Sequence, residues 1–390
     1  MIVVDVLIVV ILLVALITGF QRGFFASLGT ILGLIAGGAA AFWVMPLVSA
    51  WMPSPIWRGA AVLATGIGLL AIGTAVGSAI GSAMRSGVDK TRLKGIERFF
   101  GGIASVVVAA LAIVLVAPTI AIAGLPGVSA AVASSRALQT IEALVPGPVD
   151  ATLAQLRAAV MGDGLPRLGE LLAPGTAPTG PPIALDDPEL QRAAASVARI
   201  SGVAYACGTG ATGSGFVVAP DRVVTNAHVV AGVDTPIVEL PGREAREGRI
   251  VYFDPIDDLA VVAVDGLDGT PLPISAVLGA GTSAAVQGYP HGGPFTSIPA
   301  AVLSVGIVPV PDVYDESSAP REIYALEADV QPGNSGGPLL SGDGAVAGVV
   351  FARGIGAEMR GYAMTTTELS PVLDGLGGMD AAVSSGRCKG

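Results

Sequence analysis

Residues 333–338 read GNSGGP, a serine set between glycines and closed by a proline. The runs around it, IYALEADV at 323–330, GPLL at 337–340 and AVAGVVFA at 345–352, are short, apolar and rich in β-branched residues. The same texture extends back through GSGFVV (213–218), RVVTNAHVV (222–230), PIVEL (236–240), GRIVYF (248–253), LAVVAV (259–264), AAVQGY (284–289) and AAVLSVGIV (300–308), and forward to YAMTT (362–366). Many short strands punctuated by Gly and Pro indicate a β-barrel or sandwich; an alternating α/β fold would need helical runs between them. The chain beyond Val197 is therefore expected to be all-β.

Three segments of this region carry chemistry: TNAHVV at 225–230, DPIDDLAVV at 254–262 and GNSGGP at 333–338. A serine hydroxyl is a weak nucleophile at its free pKa. It needs a base within hydrogen-bond reach and a third group that orients the base. The chain has only two histidines, His228 and His291, so candidates for the base are few. His228 is the expected base, Ser335 the nucleophile, and Asp257 or Asp258 the orienting carboxylate. Glycines beside Ser335 permit a tight turn that exposes the hydroxyl and aims backbone N–H groups into the site. Those of Gly333 and Ser335 would form an oxyanion hole, where losing one donor costs ~3 kcal/mol. Pro338 suits the first position of a strand, where no ladder donor is required. His291, in GYPHGG, reads as a solvated loop residue. Nothing in this chemistry calls for a cofactor or a metal ion.

Upstream the composition changes. Over 390 residues the chain is 52% hydrophobic and 13% charged, too apolar for a single water-soluble domain. The excess lies in the first third. Ile2 to Phe20, Phe24 to Ser49, Gly59 to Met84 and Phe100 to Leu125 each give a long run without Lys or Arg, enough to cross ~30 Å of hydrocarbon. Four spans are expected. The first lacks the basic start and small-residue cleavage site of a signal peptide. The loop Arg85 to Phe99 holds Arg85, Lys90, Arg92, Lys94 and Arg98 against Asp89 and Glu97, which places it in the cytoplasm and the C-terminal part outside. Arg58 alone argues otherwise. Gly29, Gly33 and Gly37, and likewise Gly73, Gly77 and Gly81, form small-residue ridges for helix packing or for self-association. Asp5 is the one acid within a span and lies near its edge. A channel or transporter reading suffers from the lack of polar residues to line a path.

The net charge of −10 makes nucleic acid an unsuitable partner. From Gly124 to about Asp187, Ala-rich stretches such as ATLAQLRAAV give way to Pro/Gly-rich sequence, a helical stalk followed by a flexible tether. Such a tether is either a passive spacer or a place for proteolytic release, self-cleavage included. Cys207 and Cys388, the only two cysteines, flank nearly all of the C-terminal part. In an oxidising compartment they can pair, closing a loop worth ~5 kcal/mol less any strain; otherwise they remain buried thiols.

The order His, Asp, Ser and the three motifs resemble the chymotrypsin clan, in particular its bacterial branch with the HtrA proteases, over roughly Val197 to Leu376. The clan places its acid directly before a Leu/Ile/Val-Ala strand, which implies Asp258 rather than Asp257. It also implies two six-stranded antiparallel barrels with the triad in the cleft between them, and a substrate-pairing strand at Gly348, Val349, Val350 and Phe351. Asp329, six positions before Ser335, would be the floor of the specificity pocket or a hydrogen-bonded structural acid. Two departures are visible. Asn334 replaces the Asp that many members use to receive a newly cut N-terminus, and HtrA enzymes continue into a PDZ domain whereas this sequence runs out soon after Thr367.

Residues 1–125, with the start VVDVLIVVILLVALITGFQRGFFASLG, resemble the colicin V production family. Together, a colicin V-type region (1–125), a stalk and linker (126–186), a PDZ-less trypsin-like domain (187–390) and one Cys near each end of that domain resemble the MarP family, the actinobacterial acid-resistance periplasmic proteases. That resemblance implies a multi-pass inner-membrane protein with an extracytoplasmic serine endopeptidase, a Cys207–Cys388 disulfide, envelope proteins as substrates, and a role in acid or oxidative stress. An inactive protease fold serving as an envelope scaffold is the alternative.

Overall fold

The computed structural model describes residues 2–51, 55–88, 94–122, 131–132, 134–146, 149, 166–168, 183–204, 209–354 and 359–389. The chain divides into two compact units, residues 2–114 and residues 115–390.

The first unit is helical. Helices α1 (Ile2–Arg22), α2 (Phe24–Trp51), α3 (Pro55–Val88) and α4 (Lys94–Ile122) coincide with the four apolar runs. Two described stretches, Val3–Arg22 and Gly95–Val114, are long and apolar enough to cross a membrane. Val6, Leu7, Val10, Leu13, Val14 and Ile17 of α1 are all exposed, a surface that suits lipid and not water. Between α1 and α2 the chain turns at Gly23, φ +79°. A Cβ there would lie 2.2 Å from the Glu97 carboxylate oxygens. That carboxylate accepts from Phe25 N–H at 3.3 Å, a negative charge at the start of α2 where the helix dipole favours it. The two glycine ridges face each other within this unit: a Cβ on Gly29 would sit 2.2 Å from Gly77 O, and one on Gly33 2.1 Å from Gly73 O. The ridges thus let the α2 and α3 backbones touch. The centre of the basic loop, residues 89–93, lies outside the described residues.

In the second unit, helix α5 (Arg136–Leu144) starts at Ser135, whose hydroxyl oxygen accepts from Leu138 N–H at 3.2 Å. Most of the linker, ATLAQLRAAV included, lies outside the described residues. One described piece of the expected tether is a strand, β1 (Arg167–Leu168). Helix α6 (Pro188–Ala194) follows, capped by Asp187 with proline at its first position.

The remainder is β. Strands β2 (Val197–Ala204), β3 (Thr209–Ala219), β4 (Arg222–Thr225), β5 (Ile237–Glu239), β6 (Arg246–Glu247), β7 (Arg249–Asp254) and β8 (Leu259–Ala263) form one sheet in the order β6-β5-β2-β3-β4-β8-β7, with helix α7 (Ala227–Val230) after β4. The second sheet contains β1, β9 (Ser283–Gly288), β10 (Thr296–Pro311), β11 (Ser318–Glu327), β12 (Pro338–Leu340), β13 (Val346–Gly354) and β14 (Arg360–Thr365), followed by helix α8 (Thr366–Gly375). Its order is β1-β13-β12-β9-β10-β11-β14, and β13 also pairs with β14, so six strands close a ring to which β1 adds a seventh. The β1–β13 pair is parallel, while the other ladders are antiparallel. Two six-stranded antiparallel barrels were expected, and among the described residues each sheet has seven strands. In the second the addition is a linker segment that no turn or repeat signals.

Alternation along β2 and its neighbours buries Ala198, Ile200, Val217, Val223 and Val262 inside the first sheet, and Val286, Tyr324, Leu326, Leu339 and Val350 fill the second. A third cluster joins them, with Phe216, Val224, Leu259 and Val261 against Ala285, Ile323, Val349 and Met364. Each such aliphatic side chain contributes about 1.5–3 kcal/mol on burial. The two sheets are therefore docked through a common apolar core, and the candidate residues sit where their loops meet.

Candidate active site

His228 follows β4 on α7 and is 9% exposed. The strand end is pinned to its neighbours: Thr225 Oγ1 donates to Ser214 O at 2.7 Å, and Asn226 Nδ2 donates to Asp258 O at 3.0 Å. On the β7–β8 turn the Asp254 carboxylate accepts from Ile256 and Asp257 N–H at 2.8 and 3.1 Å, a side-chain turn of the kind aspartate favours. Asp258 follows with φ +54°, a left-handed conformation rare outside glycine. That backbone turns its carboxylate inward. Oδ2 lies 2.8 Å from His228 Nδ1, and Oδ1 accepts the His228 backbone N–H at 2.9 Å. Both Asp258 oxygens thus hold the one histidine. Asp257 does not share this role; burial and the neighbouring Asp254 push its carboxyl above the usual range, against a counteracting pull from Arg321.

The GNSGGP segment forms a tight turn before β12. Asn334 N–H donates to Gln331 O at 3.0 Å, and Asn334 Oδ1 accepts from Gln331 N–H at 2.9 Å, so Asn334 closes the turn on itself. Gly333 has φ +97°, and a Cβ there would meet Tyr289 O at 2.3 Å. Pro332 O accepts the His291 N–H. In a trans peptide the N–H opposes the C=O, so the Gly333 N–H points away from His291. Ser335 O accepts from Ser214 N–H at 2.7 Å. The turn abuts the His228 segment: a Cβ on Gly336 would lie 3.0 Å from Asn226 N, and one on Gly213 would touch Val229 and the Ser335 carbonyl. Ser335 Oγ and His228 Nε2 are both buried, and neither has a hydrogen-bond partner among the described residues. The arrangement supplies a hydroxyl, an imidazole nitrogen open for proton transfer, and a carboxylate fixing the other nitrogen.

Sequence reading did not single out Ser214, which organises the turn. Its Oγ donates to Gly333 O at 2.7 Å and accepts from Tyr289 N–H at 2.9 Å. A small polar residue between two glycines in GSGFVV was its only signal. His291 is not merely a solvated loop residue, since its backbone, at φ +56°, holds Pro332. Asp329 is exposed at a cavity of about 280 Å³ shared with His291, Thr296, Ile298 and Asn334, and it accepts from Gln331 Nε2.

The substrate-pairing expectation for Gly348, Val349 and Val350 is corrected. On one side Gly348 and Val349 pair with Leu339 and Pro338 of β12, and on the other Gly348 to Val350 pair with Thr365, Met364 and Ala363 of β14. Val350 also exchanges hydrogen bonds with Gly336 and Gly337. With both edges occupied, these residues have no backbone groups to offer a peptide. Further along β13, beyond β12, the β1 segment takes this edge, and Arg353 N–H donates to Pro166 O at 3.1 Å. Cys207 lies outside the described residues. Among the described residues no cluster of metal-ligating side chains occurs. A groove of about 760 Å³ beside α6 contains none of the candidate site residues.

Comparison with known proteins places this geometry. The family described as trypsin-like peptidase domain matches residues 213–349, and the family described as Colicin V production protein matches residues 4–146. The serine protease Rv3671c of Mycobacterium tuberculosis strain H37Rv is 32% identical over 392 residues, covering 98% of each chain. The serine protease Do-like HtrB of Bacillus subtilis is 31% identical over 161 residues, 40% of this chain and 35% of its own. The crystal structure of the M. tuberculosis Rv3671c protease in its active form covers 58% of this chain and 100% of its own, with 34% identity and a TM-score of 0.53.

Proposed function

Because this chain belongs to the family of Rv3671c, the MarP-type serine proteases, and is thereby a serine endopeptidase, we propose that it cleaves proteins of the cell envelope by an acyl-enzyme mechanism at His228, Asp258 and Ser335. The observation that carries the assignment is the paired His228–Asp258 contact, 2.8 Å on Nδ1, with Nε2 left open. Asp258 fixes the tautomer in which Nδ1 carries the proton, so Nε2 accepts the Ser335 proton as the hydroxyl attacks and then returns it to the leaving amine. Gly333 and Ser335 N–H groups receive the developing oxyanion. Protein or peptide is the substrate, and no cofactor or metal takes part.

In this reading the four helices cross the inner membrane, the basic 85–99 loop is cytoplasmic, and residues 187–390 form the two-barrel protease domain outside, joined by the linker 126–186. The exposed apolar face of α1 and the match to the Colicin V production family support membrane attachment. An extracytoplasmic site allows the Cys207–Cys388 disulfide, and the absence of a free cysteine among the described residues supports it. Resistance to acid or oxidative stress is the proposed role. The lipid bilayer is then a partner by construction of the helices. The glycine ridges are occupied by α2–α3 packing within one chain, so self-association would need another face.

The test is active-site labelling of the full-length chain with a fluorophosphonate. Labelling should be stoichiometric in wild type and absent in Ser335→Ala. A folded wild-type chain that takes no label at any pH would leave the scaffold alternative standing.

A further inference from the structure

The largest fully buried side chain beside the triad is a charged one. Arg321, near the start of β11, is 1% exposed. Its Nη1 donates to Asp257 O at 3.3 Å, its Nη2 to Pro311 O, and its guanidinium carbon lies 5.5 Å over the Phe351 ring. Its Nε has no hydrogen-bond partner among the described residues, and none of their carboxylates lies within ion-pair distance. A buried cation so sparsely compensated is costly, and an apolar residue of similar volume would pack at least as well. What the charge faces explains its presence. Asp258, Asp257 and Asp254 of the β7–β8 turn and Glu368 of α8 act on it electrostatically. Asp312, Asp315 and Lys389 share with it a cavity of about 220 Å³ that also borders His228 and Asp258.

Resting on the assignment of the triad, we propose that Arg321 is a positioning residue for the catalytic carboxylate, carried by the second sheet and acting on the first. It ties down the Asp257 carbonyl, the peptide that leads into the left-handed Asp258. It also sets positive charge behind a carboxylate that, among the described residues, accepts from His228 alone, through two bonds where a carboxylate has about four acceptor positions. Because the residue and its target lie on different sheets, triad geometry depends on how the sheets dock. The charge has a second effect. A cation opposes uptake of a further proton by groups beside it, so replacing Arg321 with a neutral residue is expected to change how labelling depends on pH.

The experiment measures the rate of fluorophosphonate labelling of Ser335 in the detergent-solubilised full-length chain from pH 4.5 to 8, with melting temperatures taken in parallel. Arg321→Met should slow labelling about 10-fold at pH 7 and move the acid limb upward by about half a pH unit. Arg321→Lys keeps the charge but not the fork, so its limb should stay in place while the rate falls by about 3-fold. In an Asp258→Asn background the same Arg321→Met change should cost less than about 2-fold, since the charge it answers is gone. Equal losses in both backgrounds, or an unmoved limb in Arg321→Met, would overturn the proposal. If that variant does not fold, a shifted limb in Arg321→Lys does so instead. Failure of the triad assignment is seen separately, as an unlabelled wild type.

Discussion

At Gly333 two requirements meet in one residue: φ of +97° and a backbone carbonyl, Tyr289 O, 2.3 Å from where a Cβ would go. Gly333→Ala must therefore displace the peptide whose N–H is proposed to bind the oxyanion. Loss of one such donor is worth about 10²–10³ in kcat, so hydrolysis of a peptide substrate should fall by that much with KM little changed. A comparable kcat in the alanine variant would remove Gly333 from the oxyanion hole. Ser214 acts one bond further out. Replacing it by alanine strips a partner from the Gly333 carbonyl and from the Tyr289 N–H, both buried, each costing about 1–3 kcal/mol. Ser214→Ala should then lower both the melting temperature and kcat, and unchanged values of both would show that water replaces the hydroxyl without loss. GNSGGP disclosed Gly333 because a glycine required by backbone shape announces itself in sequence. Ser214 and Arg321 did not, because their roles depend on which distant segments fold against them.

The hairpin between β10 and β11 is held by one carboxylate. Asp312 accepts from Ser317 Oγ at 2.7 Å and from the N–H groups of Tyr314, Ser317 and Glu316 at 2.9, 2.9 and 3.0 Å. The Ser317 hydroxyl, aided by those backbone donors, holds the Asp312 carboxyl below the usual carboxylate range. A depressed acid stabilises the fold above its unfolded pKa, about 3.9, and that contribution is lost as pH falls through the lower folded value. The hairpin tip should consequently keep the same hydrogen-exchange protection at pH 5 as at pH 7 and lose it only below about pH 4. Asp312→Asn should lose protection at all of these pH values. Protection that already declines between pH 7 and 5 in wild type would contradict the assignment. For an enzyme proposed to work in acid, the cleft wall then survives where an ordinary carboxylate clamp would start to fail. Strand periodicity made β10 and β11 readable, but the pairing of β13 was not. A run such as AVAGVVFA shows that a strand is buried and does not show which of its edges is free.

Across the whole chain, the division into an apolar helical third and a β-rich remainder was legible from composition alone, since burial in lipid and burial in a sheet demand different residues. Where the protease domain begins was less so, because β1 and α6 are brief and lie in linker-like sequence. The packing of α6 and β1 supports a start before β2. Leu190 of α6 is fully buried in the core joining the two sheets, and its carbonyl accepts from Gln287 Nε2 at 2.8 Å, whereas β1 is a two-residue strand on the edge of β13, outside the closed six-strand ring. A chain beginning at Ile183 therefore retains both docked sheets and lacks, of the second unit's described elements, α5 and β1. It should unfold cooperatively and label at Ser335 within about 3-fold of the full-length rate at pH 7. One beginning at Ser196 loses the Leu190 contacts and leaves Gln287, buried, without that acceptor. Its stability should drop by about 3–5 kcal/mol, seen as a lower denaturant midpoint with labelling much reduced at 37 °C. If both truncations melt together with equal labelling, α6 belongs to the linker and the domain starts at β2. If neither labels while the full chain does, the residues before Ile183 are part of the catalytic unit.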